Sequence, residues 1–152
     1  MFKEMRRIKN KMSDADALQL LVEGEHGTLG TISANGFPYT VIVNYVVVNG
    51  NIYFHSAKDG HKIDDIKSNN KVSFSVVGES EVIKSTFTTN YKSVTLFGTA
   101  KVIPNDKIIL FEFIKKYSNG FLPEGKKYIE ESSDIPVLVE IEILHITGKE
   151  RV

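Results

Sequence analysis

Hydrophobic positions along this chain recur at two different spacings. Leu18, Leu21 and Val22 follow at helical intervals after Ser13-Asp14-Ala15-Asp16, a capping serine with an acidic first turn, and Gly24 ends the run. The pattern predicts a short helix packed on a sheet. From Gly27 the period changes to two, with Leu29, Gly30, Thr31 and Ile32 leading into Asn35-Gly36, a strong hairpin signal. A second strand is expected from about Tyr39 to Val48, and Asn49-Gly50 turns the chain into a third from Asn51 to His55. The three make an antiparallel meander on this reading.

Gly60 to Asn69 reads as a short helix with Ile63 and Ile66 inward, and Lys71 to Val77 alternates as a fourth strand. Gly78 to Ser85 reads as a mobile loop rather than a domain boundary. Lys92 to Ile103 is a long fifth strand whose central Gly98 marks a bulge, bend or close backbone approach. Pro104 then starts a helix running to about Tyr117, with Ile108, Leu110, Phe111 and Ile114 as its apolar stripe and Phe111, Phe113 and Tyr117 assigned to the core. A looser region from Gly120 to Ser133 precedes a last strand, Val137 to Ile146, in which Val137, Val139, Ile141 and Ile143 alternate against Glu140 and Glu142. Six strands in hairpins, with no alternation of strand and helix, predict a mostly β fold with minor α: an antiparallel barrel rather than a doubly wound sheet.

Length changes this picture little: 152 residues make one domain, 1–152, able to bury a core unaided. Cysteine is absent, which removes thiol catalysis, thiolate metal sites and disulfides and fits a reducing compartment. Lys and Arg together equal Asp and Glu, so no global field draws the protein onto nucleic acid or an anionic membrane. Met1 to Met12 is basic but has no long apolar core behind it, so it reads as neither signal peptide nor membrane anchor, and a cytoplasmic protein is expected.

Candidate chemistry gathers where the third strand gives way to the second helix, at Tyr53-Phe54-His55-Ser56-Ala57-Lys58-Asp59-Gly60-His61-Lys62. Ser56 and Ala57 are small enough for an anion to approach the backbone. Asp59 can cap the helix, whose first N–H groups carry partial positive charge, and His55, Lys58, His61 and Lys62 add donors. A phosphate site or a merely basic, solvated turn both fit. Asn44 interrupts the nearly continuous apolar run Tyr39 to Val48; as a buried amide it needs a partner in backbone, water or ligand. His55 and His61 lack the spacing of a zinc pair and no third ligand is evident, so no metal site is expected. His26 and His145 read as surface or strand histidines.

The order of motifs now carries a resemblance. Gly24-Glu25-His26-Gly27-Thr28-Leu29-Gly30-Thr31, Gly36-Phe37-Pro38-Tyr39, Val43-Asn44-Tyr45-Val46, Ile52-Tyr53-Phe54-His55-Ser56-Ala57 and Gly60-His61-Lys62 stand in the order and spacing of the pyridoxamine 5′-phosphate oxidase-like flavin-binding superfamily. Asn70 to Gly78, Tyr91 to Ala100 and Met5-Arg6-Arg7 continue it. Within the superfamily the chain most resembles the nitroimidazole-resistance, NimA-type branch.

The resemblance implies a six-stranded split β-barrel that forms a homodimer and binds FMN in two equivalent clefts at the interface. It implies that the FMN phosphate lies against Ser56, Ala57 and Lys62 with His61 nearby, and that the ring lies along Thr40, Val41, Val43, Asn44 and Tyr45. His55 is the implied catalytic residue and a further cofactor contact, while Tyr91 and Ser93 are the implied contributions of the partner subunit. The implied activity is an FMN-dependent oxidoreductase acting on small electron-poor substrates. The flavin carries the electron chemistry, so no protein nucleophile is required. A flavin-binding stress protein without fast turnover is the alternative, and haem or deazaflavin on the same barrel is a further one. Vitamin B6 oxidase activity ranks lower: the family's namesake ends in a tryptophan-containing segment with an arginine and a terminal proline, whereas this chain has no tryptophan and ends Gly148-Lys149-Glu150-Arg151-Val152.

Overall fold

The structure, a computed structural model, describes residues 1–131 and 137–152. Its elements are α1 (Asp14–Glu23), β1 (Gly27–Ile32), β2 (Pro38–Val43), β3 (Val46–Val48), β4 (Asn51–Ser56), α2 (His61–Ser68), β5 (Lys71–Ile83), β6 (Thr88–Ile103), α3 (Lys107–Tyr117), α4 (Leu122–Glu131) and β7 (Val137–Arg151). The seven strands form one antiparallel sheet in the order β2-β1-β5-β6-β7-β4-β3. It curls so that its two edge strands, β2 and β3, are consecutive in the chain and joined only by Asn44 and Tyr45. This is the expected split barrel, with one strand more than the hydrophobic pattern predicted.

The extra strand comes from a break in the expected run Tyr39 to Val48. Its first half pairs with β1 and its second half with β4, so a single stretch of chain closes the barrel by serving both edges. A continuous three-stranded meander therefore does not form. Gly78 to Ser85 is also not a loop as far as Ile83: β5 continues against β6 past an irregularity between Val77 and Ser80, because a hairpin partner supplies backbone bonds that composition does not advertise. β6 correspondingly begins at Thr88 and β7 runs on to Arg151.

The helix after Pro104 starts at Lys107 because Asp106 is the better cap: its carboxylate accepts from the amides of Ile108 and Ile109 at 2.8 and 3.3 Å. Such caps contribute about 1 kcal/mol. Within Gly120 to Ser133 the structure has α4, with Ser132 and Ser133 lying outside the described residues. Gly125 makes this helix hard to read, yet a Cβ there would collide with Ile114, so the glycine is what lets α4 lie close on α3.

The core has two parts. Leu29, Ile52, Phe54, Phe74, Leu96 and Ile141 fill the barrel, closed at its ends by Leu21 of α1 and by Ile63 and Ile66 of α2. Each of the larger side chains contributes about 1.5–3 kcal/mol by leaving water. On the outer face of β3, β4 and β7, Val46, Tyr53 and Leu138 are covered by Leu110 and Phe113 of α3 and Ile129 of α4. Phe113 is thus core, as expected, with Phe111 and Tyr117 packed half-buried beside it. Among the described residues no helix is long and apolar enough to cross a membrane.

Candidate functional site

The barrel's closure is incomplete on one side. β3 pairs with β4 through Val46 with Tyr53, Val47 with Ile52 and Val48 with Asn51. Continued toward the start of the chain, that register would set Asn44 opposite His55 and Val43 opposite Ser56. Those rungs are absent: Phe54, His55 and Ser56 pair with β7 on one side and with no described strand on the other. β2 pairs with β1 and has its other edge free among the described strands. Two backbone edges, Val41–Asn44 and Phe54–Ala57, therefore flank a split, and those of their N–H and C=O groups that point into it have no partner strand among the described residues.

Side chains alternate across these strands. His55 lies on the outer face of β4, where its ring meets that of Phe113 with centroids 5.1 Å apart. Burial, then the nearby Lys62 ammonium, hold its pKa below the ordinary histidine value, so the imidazole favours its neutral form. Ser56 points the other way, is buried, and donates to the Ala57 carbonyl at 3.0 Å. Ala57 is exposed and Lys62 half-buried. On β2, Thr40 is exposed, and Val41 and Val43 pack half-buried on the inner core. Asn44 is exposed rather than the buried amide expected, because it sits where the chain leaves one edge for the other.

Tyr45 is fully buried: its ring meets Phe74 edge-on at 5.0 Å and its hydroxyl donates to the Leu21 carbonyl. Its amide donates to the Tyr117 hydroxyl at 3.0 Å and its carbonyl accepts from Lys116 Nζ at 2.9 Å. That side chain faces the core. Tyr91 and Ser93 lie on β6, which β7 separates from β4, so within one chain they are not part of the split.

His61 opens α2 and reaches across to the β2 edge, stacking on Tyr39 at 3.8 Å with the rings 7° from parallel. Its Nε2 lies 2.9 Å from Ser33 Oγ and 3.3 Å from Asp65 Oδ2. Buried Asp65 in turn accepts from Thr31 Oγ1 at 2.7 Å and Ser33 Oγ at 3.0 Å. Serine, histidine and aspartate meet here, but hydroxyl and carboxylate face the same ring nitrogen. A nucleophile relay needs them on opposite nitrogens, so the cluster orients His61 and does not activate Ser33. His61 Nδ1 is the nitrogen outside this cluster.

Sequence reasoning missed Thr31, Ser33, Tyr39 and Asp65. Asp65 had a signal, a carboxylate on the apolar stripe between Ile63 and Ile66. Lys116 and Tyr117 had none, since their partners at Tyr45 and Glu25 are remote in sequence.

The sequence model of the pyridoxamine 5′-phosphate oxidase family matches residues 13–150. Solved structures share the fold. A conserved hypothetical protein of Mycobacterium tuberculosis is 19% identical, with 97% of this chain and 90% of that chain covered and a TM-score of 0.82. A candidate 5-nitroimidazole antibiotic resistance protein of Bacteroides thetaiotaomicron is 16% identical over 91% and 85% of the two chains, TM-score 0.65. An FAD-binding protein of Mesorhizobium loti is 22% identical over 93% and 97%, TM-score 0.65. No curated protein sequence matches the chain.

Proposed function

Because the chain belongs to the pyridoxamine 5′-phosphate oxidase family, we propose that it is a flavoprotein that binds FMN in the split between β2 and the end of β4 and reduces small, flat, electron-poor substrates. The observation that carries this reading is the pair of unpaired backbone edges beside a basic strand-to-helix junction. A flavin ring has polar atoms along one edge and a phosphate at the end of its tail, and the split offers complementary groups to each. The residues present fit such a ligand.

On this reading the backbone groups of Ile42 and Asn44, which alternate with those that Val41 and Val43 direct to β1, face the ring's polar edge, while Thr40 forms part of its wall. The phosphate end meets the Ser56 and Ala57 backbone, and Lys62 supplies a point charge. His61, oriented by Ser33 and Asp65, keeps Nδ1 for the same end. His55, held neutral, can donate from one nitrogen and accept at the other, which suits proton movement at a reduced substrate. When bound, the flavin supplies the hydride and electron chemistry. Tyr91 and Ser93 of a second copy would complete the cleft in a homodimer.

The nitro-heterocycle preference has the Bacteroides likeness behind it, which is a likeness of fold. Titration of the flavin-free protein with FMN tests the binding: saturable quenching of flavin fluorescence at one FMN per chain is expected, and none would remove the reading. Photoreduced protein mixed with a nitroimidazole should reoxidise faster than free reduced FMN. Equal rates would leave a protein that holds flavin without turning it over.

A further inference from the structure

The chain switches from β1 to β4 within two residues, Asn44 and Tyr45, without a glycine or proline to force the break. The β1–β2 register pairs Val43 with Gly27, and continued once more in the same hydrogen-bonding phase it would set Tyr45 opposite Glu25. The Tyr117 hydroxyl stands in that place. It accepts from the Tyr45 amide at 3.0 Å and lies 2.6 Å from the Glu25 carbonyl and 2.9 Å from the Tyr45 carbonyl. A hydroxyl has one proton to give. Lys116 Nζ already donates to the Tyr45 carbonyl at 2.9 Å, so the hydroxyl's proton serves Glu25. The Tyr45 amide, the Tyr45 carbonyl and the Glu25 carbonyl are then satisfied by α3 instead of by a strand.

The same face of α3 also touches the other side of the split. Phe113, one turn before Tyr117 and stacked on it with centroids 6.3 Å apart, meets the ring of His55 on β4. One helix face thus contacts both the strand crossing and the free end of β4. We propose that Tyr117 is a positioning residue for the flavin site: its hydroxyl ends the β1–β2 ladder one rung early, turns the chain toward β4, and with Phe113 sets the spacing of the two backbone edges. This rests on the flavin reading above. Lys116 supports it by holding the Tyr45 carbonyl. Without the hydroxyl, the Tyr45 amide and the Glu25 carbonyl are left to pair directly, which lengthens the β1–β2 ladder and draws Asn44 and Val43 away from their places beside β4.

Tyr117→Phe tests this, since it keeps the ring and its stack on Phe113 and removes only the oxygen. In the flavin-free variant, a through-hydrogen-bond coupling between the Tyr45 amide and the Glu25 carbonyl is expected, detected by NMR. FMN should bind at least tenfold more weakly than to the wild type, and the visible circular dichroism of the bound flavin should change, a signal that a loss of stability alone does not move. Lys116→Met, which leaves the hydroxyl in place, should show a smaller change in the same two flavin readouts and guards against a Tyr117→Phe protein that fails to fold. Wild-type affinity and wild-type flavin dichroism in folded Tyr117→Phe, or in Lys116→Met if the first variant does not fold, would overturn the positioning role. Wild-type protein that takes up no FMN would instead remove the flavin reading, and the positioning role with it.

Discussion

His55 and Ser56 are consecutive on β4 yet face opposite sides of it, His55 against Phe113 of α3 and Ser56 buried with its hydroxyl on the Ala57 carbonyl. A ligand on one side of the strand can meet only one of these side chains and must reach the other residue through its backbone. The small size of Ser56 and Ala57 matters for that reason.

His55 should titrate below the ordinary histidine value of 6.5, because burial and then the Lys62 charge disfavour its cationic form. A depressed histidine binds fewer protons folded than unfolded between its two pKa values. Its contribution to stability is therefore present above 6.5 and lost as pH falls through the folded value. NMR titration of the ring should show this, with an upward move in Lys62→Met and on adding FMN, whose phosphate opposes the Lys62 charge. A wild-type value at or above 6.5 would contradict the environment described here.

Lys62→Ala should weaken FMN binding by about tenfold or more, since a hydrogen bond to a charged group contributes about 1.5–3 kcal/mol. The fold should be unaffected, because Lys62 is only half-buried on the first turn of α2. Isothermal titration measures the first and thermal melting the second. Unchanged affinity would move the phosphate elsewhere.

Lys116 gives a pH dependence of the same sign in a more alkaline range. Burial lowers its pKa from 10.5 to about 8, with the ammonium 3.9 Å over the Tyr45 ring. Between those values the unfolded chain binds more protons than the folded one, so unfolding free energy should rise as pH rises from about 8 toward 10.5. Urea unfolding at a series of pH values should show that rise in the wild type and its loss in Lys116→Met.

Gly98→Ala should destabilise the protein by about 1–3 kcal/mol, the usual cost of overpacking. A Cβ there would meet the backbone carbonyl of Glu142 on β7, at the register shift between Phe97 and Gly98. Denaturant midpoints give the difference, and a neutral substitution would mean that β7 moves aside freely.

Gly98 also illustrates what could be read in advance. A glycine in mid-strand announces a close approach or bulge by itself, and the period-two runs and the Asn35-Gly36 and Asn49-Gly50 turns announce hairpins, because each is a local device. The break at Asn44 and Tyr45 is different in kind. It is imposed by Tyr117 and Lys116 from remote positions in the sequence, so a continuous apolar run conceals it, and with it the assignment of β2 and β3 to opposite edges. α4 was hidden by Gly125, which looks like a breaker until the helix beneath it is known. At the site, the basic junction was legible as a run of residue types, whereas Ser33, which orients His61 together with Asp65 of the same helix, comes from the turn after β1 and meets the ring only once the barrel is closed.

The central claim is that the free edges of β2 and β4 hold the flavin, and backbone amide shifts report it most directly. With the resonances assigned, added FMN should perturb the amides of residues 41–44 and 54–57 together with Lys62, saturating at one FMN per chain. Saturation with those amides unmoved and the shifts clustered elsewhere would contradict it.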